Sequence, residues 1–510
     1  MKVLLINLVR EIYWKDRENI EFQILLEKIK SLAEVELFSM SENSINNIIN
    51  LRHETFIEKD IYIFMIDFNA DAVIIDTIYT LSTFIKAHNE NAKIVLIGER
   101  AALHAKQIIE DCNEIDYIFV GEVEDIATKI VDVCDHPSLS VIQKKSEISN
   151  ELIRPKRDVK LIKEVKSAKV RTTRGCYGDC LFCIDKGSIG ITKIRMMKEV
   201  VEEIENIIKK CNIKKISFCD NSFEDPDYIE KTRIKEFLKL IKERNLKLYF
   251  ECSIRAESFK TPNDFELLKE MSKCGFYRII VGYESGCAED LRFFKKRATV
   301  EDNLRTAKFL RECKINTILP PGFIMFHPLS TVESLQQNYS FLKSINKGYN
   351  MLAVCSFLKV FPGSRMHMVL KEKQLVEERC SYKDLVPYFY ENQEIAQLAN
   401  LLYKERYTSK AVEMAMRIED MRDLLAQAQK KYVNWKGIEE FEKTIETISK
   451  EVSGYVEDFF ESCLNNMCNF EFINRKYKEL EHKVQNIRCY EGLRKFVLSN
   501  LSNCELDYLI

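Results

Sequence analysis

Short apolar runs alternate with amphipathic segments along the first part of the chain. The runs include VLLINLV at 3–9, IYIFMI at 61–66 and KIVLIG at 93–98, and helical patterns such as AALHAKQIIEDC at 101–112 lie between them. Continuous Val- and Ile-rich strands that are separated by helices are typical of a parallel sheet covered on both faces. The pattern therefore predicts an α/β fold, with a doubly wound, Rossmann-like domain over residues 1–140.

The periodicity stops after this domain and then resumes. The segment DHPSLSVIQKKSEISNELIRPKRDVK is polar, contains two prolines and has no clear period, and we interpret residues 141–166 as a linker. From 167 to 376 six further strand candidates alternate with helical patterns: KVRTT, KISFCD, LYFECSI, RIIVGYES, NTILPPGFIM and MLAVCSFLKV. Six such units predict a partial (β/α)6 barrel, and the chemistry of such sheets lies at the carboxyl ends of the strands.

The last part of the chain, 377–510, has a different pattern. No proline follows Pro387, and AVEMAMRIEDMRDLLAQAQKKY at 411–432 has apolar residues at helical spacing. We therefore predict an all-helical carboxyl-terminal domain. We expect it to pack over the open side of the partial barrel and to form one wall of a substrate site.

Charge and composition exclude several classes of protein. Lys and Arg number 77 against 79 Asp and Glu, so no overall basic field attracts nucleic acid or an anionic membrane. No apolar run approaches the ~20 residues that cross a bilayer, and MKVLLINLVREIYW is interpreted as a first strand, not a signal peptide. With 17 cysteines and no export signal, the chain is predicted to be cytoplasmic.

The segment RGCYGDCLFCIDKG at 174–187 places three cysteines, Cys176, Cys180 and Cys183, after the first predicted barrel strand. Thiolates at this spacing can bind three irons of a four-iron, four-sulfur cluster and leave one iron open to another ligand. Chance spacing and a zinc site are the alternatives, and no histidine lies nearby in the sequence.

This cysteine spacing, with Phe182 before the last cysteine, resembles the radical SAM superfamily. Four later segments are similar to motifs of its cobalamin-associated branch: SFCDNSFEDP at 217–226, FECSIRAES at 250–258, GFYRIIVGYESGCAEDLRFFKK at 275–296 and FPGSRMHMVLKEKQLV at 361–376. The resemblance implies a [4Fe-4S] cluster whose open iron chelates S-adenosylmethionine. One electron then cleaves the sulfonium, and the 5′-deoxyadenosyl radical abstracts hydrogen from an unreactive carbon.

The resemblance also implies roles for individual residues. Cys176, Cys180 and Cys183 are the cluster ligands, and Phe182 packs beside the adenine. The other cofactor contacts are Asp220 and Asn221 for the methionine ammonium, Ser253 and Arg255 at the end of the third strand, where a guanidinium can meet a carboxylate, and Glu284 for the ribose hydroxyls. The alternative for each is a solvated strand end or a structural ion pair.

Two further residues are candidates for catalysis. His327, in GFIMFHPLST, stands where a small residue is common in the family, and it is either a substrate-facing acid or base or a hydrogen-bonded scaffold residue. Cys355 is near a predicted strand end, as are Cys219, Cys252 and Cys287. A thiol there can donate hydrogen to a radical, and the alternative is a buried apolar thiol.

The amino-terminal domain resembles the cobalamin-binding domain of the same branch over 93–125. The family usually has Gly-Gly where this chain has Gly98-Glu99, and Gly-Glu-Gly-Glu where it has Gly121-Glu122-Val123-Glu124. The Asp-x-His-x-x-Gly signature is also missing. A glutamate at 99 would crowd or repel the corrin, so the resemblance leaves two alternatives: a cobalamin site or a scaffold without cobalamin.

The function that these features favour is modification of an unactivated carbon of a peptide or small natural product, with C-methylation if cobalamin is bound. The alternatives are a cobalamin-free rearrangement, cyclisation or epimerisation, a transfer-RNA methylthiotransferase, and an iron–sulfur protein for electron transfer or binding. The expected partners are the substrate and an electron donor such as flavodoxin or ferredoxin.

Overall fold

The structure is a computed structural model, and it describes residues 1–10, 18–41, 58–67, 69–131, 140–143, 152, 154–155, 157–184, 193–431, 437–467 and 469–487. The first strands are β1 (Lys2–Val9), β2 (Glu34–Ser41), β3 (Ile61–Met65), β4 (Lys93–Ile97), β5 (Tyr117–Val120) and β6 (Ser140–Gln143). The helices between them are α1 (Ile20–Ile29), α2 (Ala72–His88), α3 (Glu99–Leu103), α4 (Ala105–Asp111) and α5 (Val123–Val131).

These strands form one parallel sheet in the order β2-β1-β3-β4-β5-β6. Alternate residues of β1 enter two separate cores: Leu4 and Ile6 pack with α2, while Val3 and Leu5 pack with α1 and α5. Because both faces are covered, the strands are apolar throughout. The predicted doubly wound domain is confirmed.

The second unit begins with α6 (Val159–Val165) and contains four parallel strands. They are β7 (Ser167–Val170), β10 (Lys215–Phe218), β11 (Tyr249–Arg255) and β12 (Phe276–Gly282), in the order β12-β11-β10-β7. A short antiparallel pair, β8 (Thr173–Arg174) with β9 (Lys193–Ile194), flanks the first of them. The helices are α7 (Met197–Cys211), α8 (Thr232–Glu243), α9 (Pro262–Lys273), α10 (Ala288–Phe293), α11 (Val300–Glu312), α12 (Val332–Ser344), α13 (Met351–Val354) and α14 (Arg365–Glu372).

The fifth and sixth predicted strands are replaced by irregular segments that extend the sheet through single bridges. Asn316 bridges to Arg278, Phe323 bridges to Glu284, and Phe326 bridges to Phe357. The predicted strand at 351–360 begins instead as α13, because the Asn350 side chain accepts a hydrogen bond from the Ala353 N–H and caps a helical turn.

The carboxyl-terminal region is helical, as predicted, with α15 (Gln393–Glu405), α16 (Lys410–Lys431), α17 (Gly437–Leu464) and α18 (Phe470–Gln485). Its position differs from the expectation. In α16, Asp423 pairs with Arg278 at the start of β12, so this helix packs against the amino ends of the strands. Tyr403 of α15 contacts Phe357, which bridges to Phe326 in the last irregular segment of the sheet.

The predicted linker, 141–166, is partly ordered structure where it is described. Residues 140–143 form β6 of the first sheet, and α6 packs against α7. The remaining residues of that stretch lie mostly outside the described part of the chain, and the domain boundaries stay a prediction. In the described residues no helix is both long and apolar enough to cross a membrane.

Two groups of contacts join the first sheet to the barrel. On one side Arg171 and Arg174, which follow β7, pair with Glu21 of α1 at 2.5 and 3.0 Å. On the other side Tyr382 donates a hydrogen bond to Asp111, and Arg100 donates one to the carbonyl of Lys383. The carboxyl edge of the first sheet therefore faces the carboxyl ends of the barrel strands.

Candidate active site

The three cysteines lie on one loop immediately after β8. All three are half-buried. The Sγ of Cys176 accepts a hydrogen bond from the Gly178 N–H at 3.2 Å. A Cβ on Gly178 would lie 3.3 Å from Cys176 Sγ and 3.8 Å from Cys180 Sγ, so both sulfurs surround this glycine and leave little room for a side chain. The loop therefore gathers thiol groups of the kind that bind iron–sulfur clusters.

Neighbouring segments hold this loop in place. Arg365, the first residue of α14, donates hydrogen bonds to the Cys180 carbonyl at 2.7 Å and to Asp179 Oδ1 at 3.0 Å. The Leu181 N–H donates to the Phe294 carbonyl. Phe182 is half-buried and meets the Phe294 ring edge-on at 5.5 Å. Its predicted contact with adenine stays a prediction.

Asp220 lies at the carboxyl end of β10 as predicted, but its carboxylate is already occupied. Its two oxygens accept hydrogen bonds from the backbone N–H groups of Thr172 and Thr173 and from the Thr172 hydroxyl, at 2.6–3.0 Å. Asp220 therefore fixes the chain that enters the cysteine loop, which differs from the expected contact with a methionine ammonium. Asn221 is exposed and Ser253 half-buried, and their cofactor roles stay predictions.

Arg255 is engaged within the chain, and its contact with a cofactor carboxylate stays a prediction. Its two terminal nitrogens each donate to one oxygen of Asp225 at 2.7 Å, which makes a bidentate pair. One of these nitrogens, Nη1, is also 3.3 Å from Cys176 Sγ. Burial acts to lower the pKa of Arg255, but Asp225 and Glu224 outweigh it and raise that pKa, so the group stays charged. Asp225 accepts the Tyr177 N–H as well.

Glu284 is fixed above the end of β12 beside a lysine that the sequence analysis did not identify. The Lys296 side chain is 5% exposed, and its Nζ is 3.3 Å from Glu284 Oε1. A Cβ on Gly282 would lie 2.9 Å from both of these atoms, so this glycine makes room for the pair. Burial acts to lower the pKa of Lys296, but Glu284 and Cys180 raise it overall. The ribose contact of Glu284 stays a prediction.

Two carboxylate oxygens in this region are buried and have no hydrogen-bond partner among the described residues: Glu224 Oε2 and Glu257 Oε2. Glu257 is 3.5 Å from Arg255, and Glu224 accepts the Arg255 N–H with its other oxygen. Burial raises the pKa of Glu224. Because buried polar atoms in proteins are nearly always hydrogen-bonded, these oxygens are suited to a cationic ligand. The ammonium of S-adenosylmethionine, which is cationic and carries N–H donors, fits that requirement.

His327 is scaffold and not a substrate-facing group. It is 1% exposed, and its Nε2 is 3.0 Å from Asp290 Oδ1. Its ring packs against Phe293 and Phe294, the second of which supports Phe182. Of the two alternatives for His327, these contacts favour the hydrogen-bonded scaffold residue, which here supports the cysteine loop through Phe294.

Cys355 is likewise an apolar thiol in this structure. It is 6% exposed at the end of α13, and burial raises its pKa to about 12. Cys252 and Cys287 are also buried, while Cys219 is half-buried. The structure therefore supports the alternative of a buried apolar thiol for Cys355, Cys252 and Cys287.

The carboxyl edge of the first sheet carries four residues that match the pattern of the cobalamin branch: Gly98, Gly121, Glu122 and Glu124. Glu124 and Glu122 are turned toward the barrel, where Glu124 pairs with Arg174 at 3.1 Å and Glu122 pairs with Lys193. Gly98 and Gly121 both have positive φ, and a Cβ on Gly98 would lie 2.6 Å from the Ile66 carbonyl oxygen. The edge thus keeps two glycines and neutralises two of its glutamates, which is compatible with a bulky ligand between the sheet and the barrel.

Comparison with known proteins finds a family model and relatives for the part of the chain that contains this site. A family model described as the Radical SAM superfamily matches residues 170–342, which include the three cysteines, Arg255 and Glu284. This part of the chain is a radical SAM domain. Over 302 residues the chain is 27% identical to the anaerobic magnesium-protoporphyrin IX monomethyl ester cyclase of Cereibacter sphaeroides. This alignment covers 54% of this chain and 48% of that protein. It is 27% identical to the 4′-phospho-dehydrooxetanocin synthase of Priestia megaterium over 46% of this chain and 32% of the other. The chain thus spans about half or less of the length of these two relatives.

Solved structures extend the likeness beyond the radical SAM domain. The cobalamin-dependent S-adenosylmethionine radical enzyme OxsB, with aqua-cobalamin and S-adenosylmethionine bound, matches with a TM-score of 0.72 at 17% identity, over 98% of this chain and 81% of that one. The radical S-adenosylmethionine methyltransferase TsrM from Kitasatospora setae, with cobalamin and a [4Fe-4S] cluster bound, matches with a TM-score of 0.62 at 15% identity, over 88% and 99%. The order of sheet, radical SAM domain and helical region is therefore a fold that this chain shares with them.

Proposed function

We propose that this chain is a radical SAM enzyme that binds a [4Fe-4S] cluster through Cys176, Cys180 and Cys183 and modifies an unactivated carbon of a peptide or small natural product. The observation that carries the proposal is the cysteine loop, in which the sulfurs of Cys176 and Cys180 both lie against Gly178 and Cys176 Sγ is 3.3 Å from Arg255 at the end of β11. Such a cluster supplies one electron for reductive cleavage of S-adenosylmethionine.

The chain's own residues then have distinct tasks. Glu224 and Glu257 accept hydrogen bonds from the cationic end of S-adenosylmethionine, and Glu284 with Lys296 borders the same space on the β12 side. Phe182 and Phe294 exclude water behind the loop, which strengthens the electrostatic interactions within the site. An electron donor such as flavodoxin or ferredoxin supplies the reducing equivalent.

Cobalamin is the second cofactor of the proposal, and C-methylation is the reaction that it favours. The support is the fold shared with OxsB and TsrM together with the paired Glu122 and Glu124. Gly98 and Gly121 would line the corrin at the edge of the first sheet. The second candidate is a cobalamin-free rearrangement, cyclisation or epimerisation, which Glu99 next to Gly98 favours.

Anaerobic reconstitution tests both parts. We expect about four irons per chain and reductive cleavage of S-adenosylmethionine by the reconstituted protein. Stoichiometric cobalt after incubation with cobalamin supports methylation, and its absence from a protein that still cleaves S-adenosylmethionine supports the second candidate. A protein that takes up no iron contradicts the proposed function itself. The Glu99→Gly variant tests whether Glu99 hinders cobalamin at the carboxyl edge of the first sheet. It restores the family's Gly-Gly and is expected to tighten cobalamin binding.

A further inference from the structure

The sulfur of Cys176 accepts hydrogen bonds from two parts of the chain, its own loop and the end of β11. Its Sγ accepts a hydrogen bond from the Gly178 N–H at 3.2 Å and one from Arg255 Nη1 at 3.3 Å. The second donor is a guanidinium whose side chain is only 9% exposed. A buried cation therefore donates directly to one of the three sulfurs.

Asp225 holds this cation in position. It accepts both terminal nitrogens of Arg255 at 2.7 Å, and its Oδ2 also accepts the Tyr177 N–H at 3.0 Å. The same carboxylate thus fixes the donor and the backbone next to the acceptor. Because a bidentate pair has a defined plane, Arg255 Nη1 is directed at Cys176 and has no freedom to swing toward another ligand.

We propose that Arg255, oriented by Asp225, is a positioning residue that sets the reduction potential of the cluster bound through Cys176. The inference rests on the proposed function. One-electron reduction adds a negative charge to the cluster and its thiolates, and the electron comes from an external reductant, with no proton or leaving group involved. A cationic N–H donor to sulfur stabilises the reduced state more than the oxidised state, so it raises the potential.

This role differs from the one that the sequence resemblance implied. Asp225 engages both terminal nitrogens of Arg255, so a carboxylate of S-adenosylmethionine would have to share this guanidinium with Asp225. The two roles differ in what a substitution changes. If Arg255 acts on Cys176, its substitution changes the reduction potential of the cluster even without S-adenosylmethionine. If Arg255 binds the carboxylate of S-adenosylmethionine, its substitution changes the affinity for S-adenosylmethionine.

The test is a redox titration, followed by electron paramagnetic resonance, of the reconstituted full-length protein without S-adenosylmethionine. We expect Arg255→Gln to lower the ratio of reduced to oxidised cluster about tenfold at a fixed ambient potential, a shift of about 59 mV for one electron. Arg255→Lys keeps the charge but loses the planar fork, and it should shift the potential in the same direction by less. Arg233→Gln is the matched control, because Arg233 donates to the Asp225 carbonyl and to Thr172 instead of to sulfur.

Each outcome decides between the two roles. An Arg255→Gln protein with full iron content and the wild-type potential overturns the inference, as does a shift equal to that of Arg233→Gln. Weaker binding of S-adenosylmethionine in equilibrium dialysis at an unchanged potential also overturns it. If Arg255→Gln does not retain iron, the potential of Arg255→Lys decides, and loss of iron from both variants counts against the inference. A wild-type protein without a cluster contradicts the proposed function instead.

Discussion

The two ends of the barrel strands both bury charged side chains, but they satisfy them differently. At the amino end Lys347 donates to both carboxylate oxygens of Glu419 at 2.8 and 2.6 Å, and the Tyr349 hydroxyl donates to the same carboxylate. At the carboxyl end one oxygen each of Glu224 and Glu257 has no partner among the described residues. At the amino end the buried carboxylate of Glu419 is paired within the chain, whereas at the carboxyl end Glu224 and Glu257 each keep a carboxylate oxygen that a ligand can satisfy.

The difference indicates how this fold separates stability from chemistry. Helix α16 supplies Glu419 and Asp423, so the helical region completes a polar network that would otherwise be buried and unpaired. The cysteine loop, by contrast, is held by backbone and arginine contacts that leave its sulfurs half-buried. Changes at the amino end should therefore affect folding, and changes at the carboxyl end should affect cofactors.

The largest effect is expected from replacing Cys176, Cys180 and Cys183 together by Ala. Iron should fall from about four per chain to background, and cleavage of S-adenosylmethionine should fall by orders of magnitude, because the cluster loses its thiolates. Iron analysis and turnover assays check both. Cys355→Ala is the control and should retain its iron, since this thiol is buried away from the loop. A triple variant that still binds a cluster would refute the ligand assignment.

At the amino end Lys347→Met should lower the stability of the fold and leave the iron content unchanged. This change leaves Glu419 buried without its cation, which typically costs about 3–5 kcal/mol of unfolding free energy. Denaturant unfolding measures it, while the iron content of the folded protein should not change. Lys343→Met is the control, because its pair with Glu457 is at the surface and contributes about 1 kcal/mol or less. Equal losses of unfolding free energy in the two variants would argue against a special contribution of the buried Lys347–Glu419 pair.

A smaller effect is expected from pH at the contact between the first sheet and the barrel. Burial acts to raise the pKa of Glu21, but Arg171 and Arg174 outweigh it and lower that pKa from 4.5 to about 2. Since the folded-state pKa is depressed, the stabilisation is present above pH 4.5 and is lost as pH falls toward 2. It amounts to at most about 3 kcal/mol, because Glu21 keeps some solvent contact.

Glu21→Gln should therefore lower the unfolding free energy at pH 7, and its difference from wild type should shrink in acid. Denaturant titrations at a series of pH values measure this difference. Glu36→Gln is a matched control, since Glu36 is half exposed in its pair with Lys59. A difference for Glu21→Gln that is independent of pH would exclude the proposed linkage.

What the sequence could and could not predict follows from the range of each interaction. The first five strands of the first sheet, β10 to β12 and the cysteine loop depend on local apolar runs and spacing, and they were predictable. The roles of charged strand-end residues were not, because they depend on distant partners. The side chain of Asp220 is hydrogen-bonded to Thr172, that of Arg255 to Asp225 and that of His327 to Asp290.

The same limit explains two other differences. Lys296 stands in a quoted motif, yet only the folded chain places it on Glu284. The apolar run at 351–360 fits a strand, and the Asn350 cap that makes its start helical is a single polar residue outside the run. The placement of α16 at the amino end depends on pairs between residues more than a hundred positions apart, such as Arg278 with Asp423.

That three thiolates leave one iron open to S-adenosylmethionine is tested most directly by Mössbauer spectroscopy of isotopically enriched, reconstituted protein with and without S-adenosylmethionine. We expect the signal of one iron site in each cluster to change when S-adenosylmethionine is added, because only that site lacks a thiolate from the protein. A spectrum that is identical with and without S-adenosylmethionine would contradict the assignment of an open, catalytic cluster to this loop.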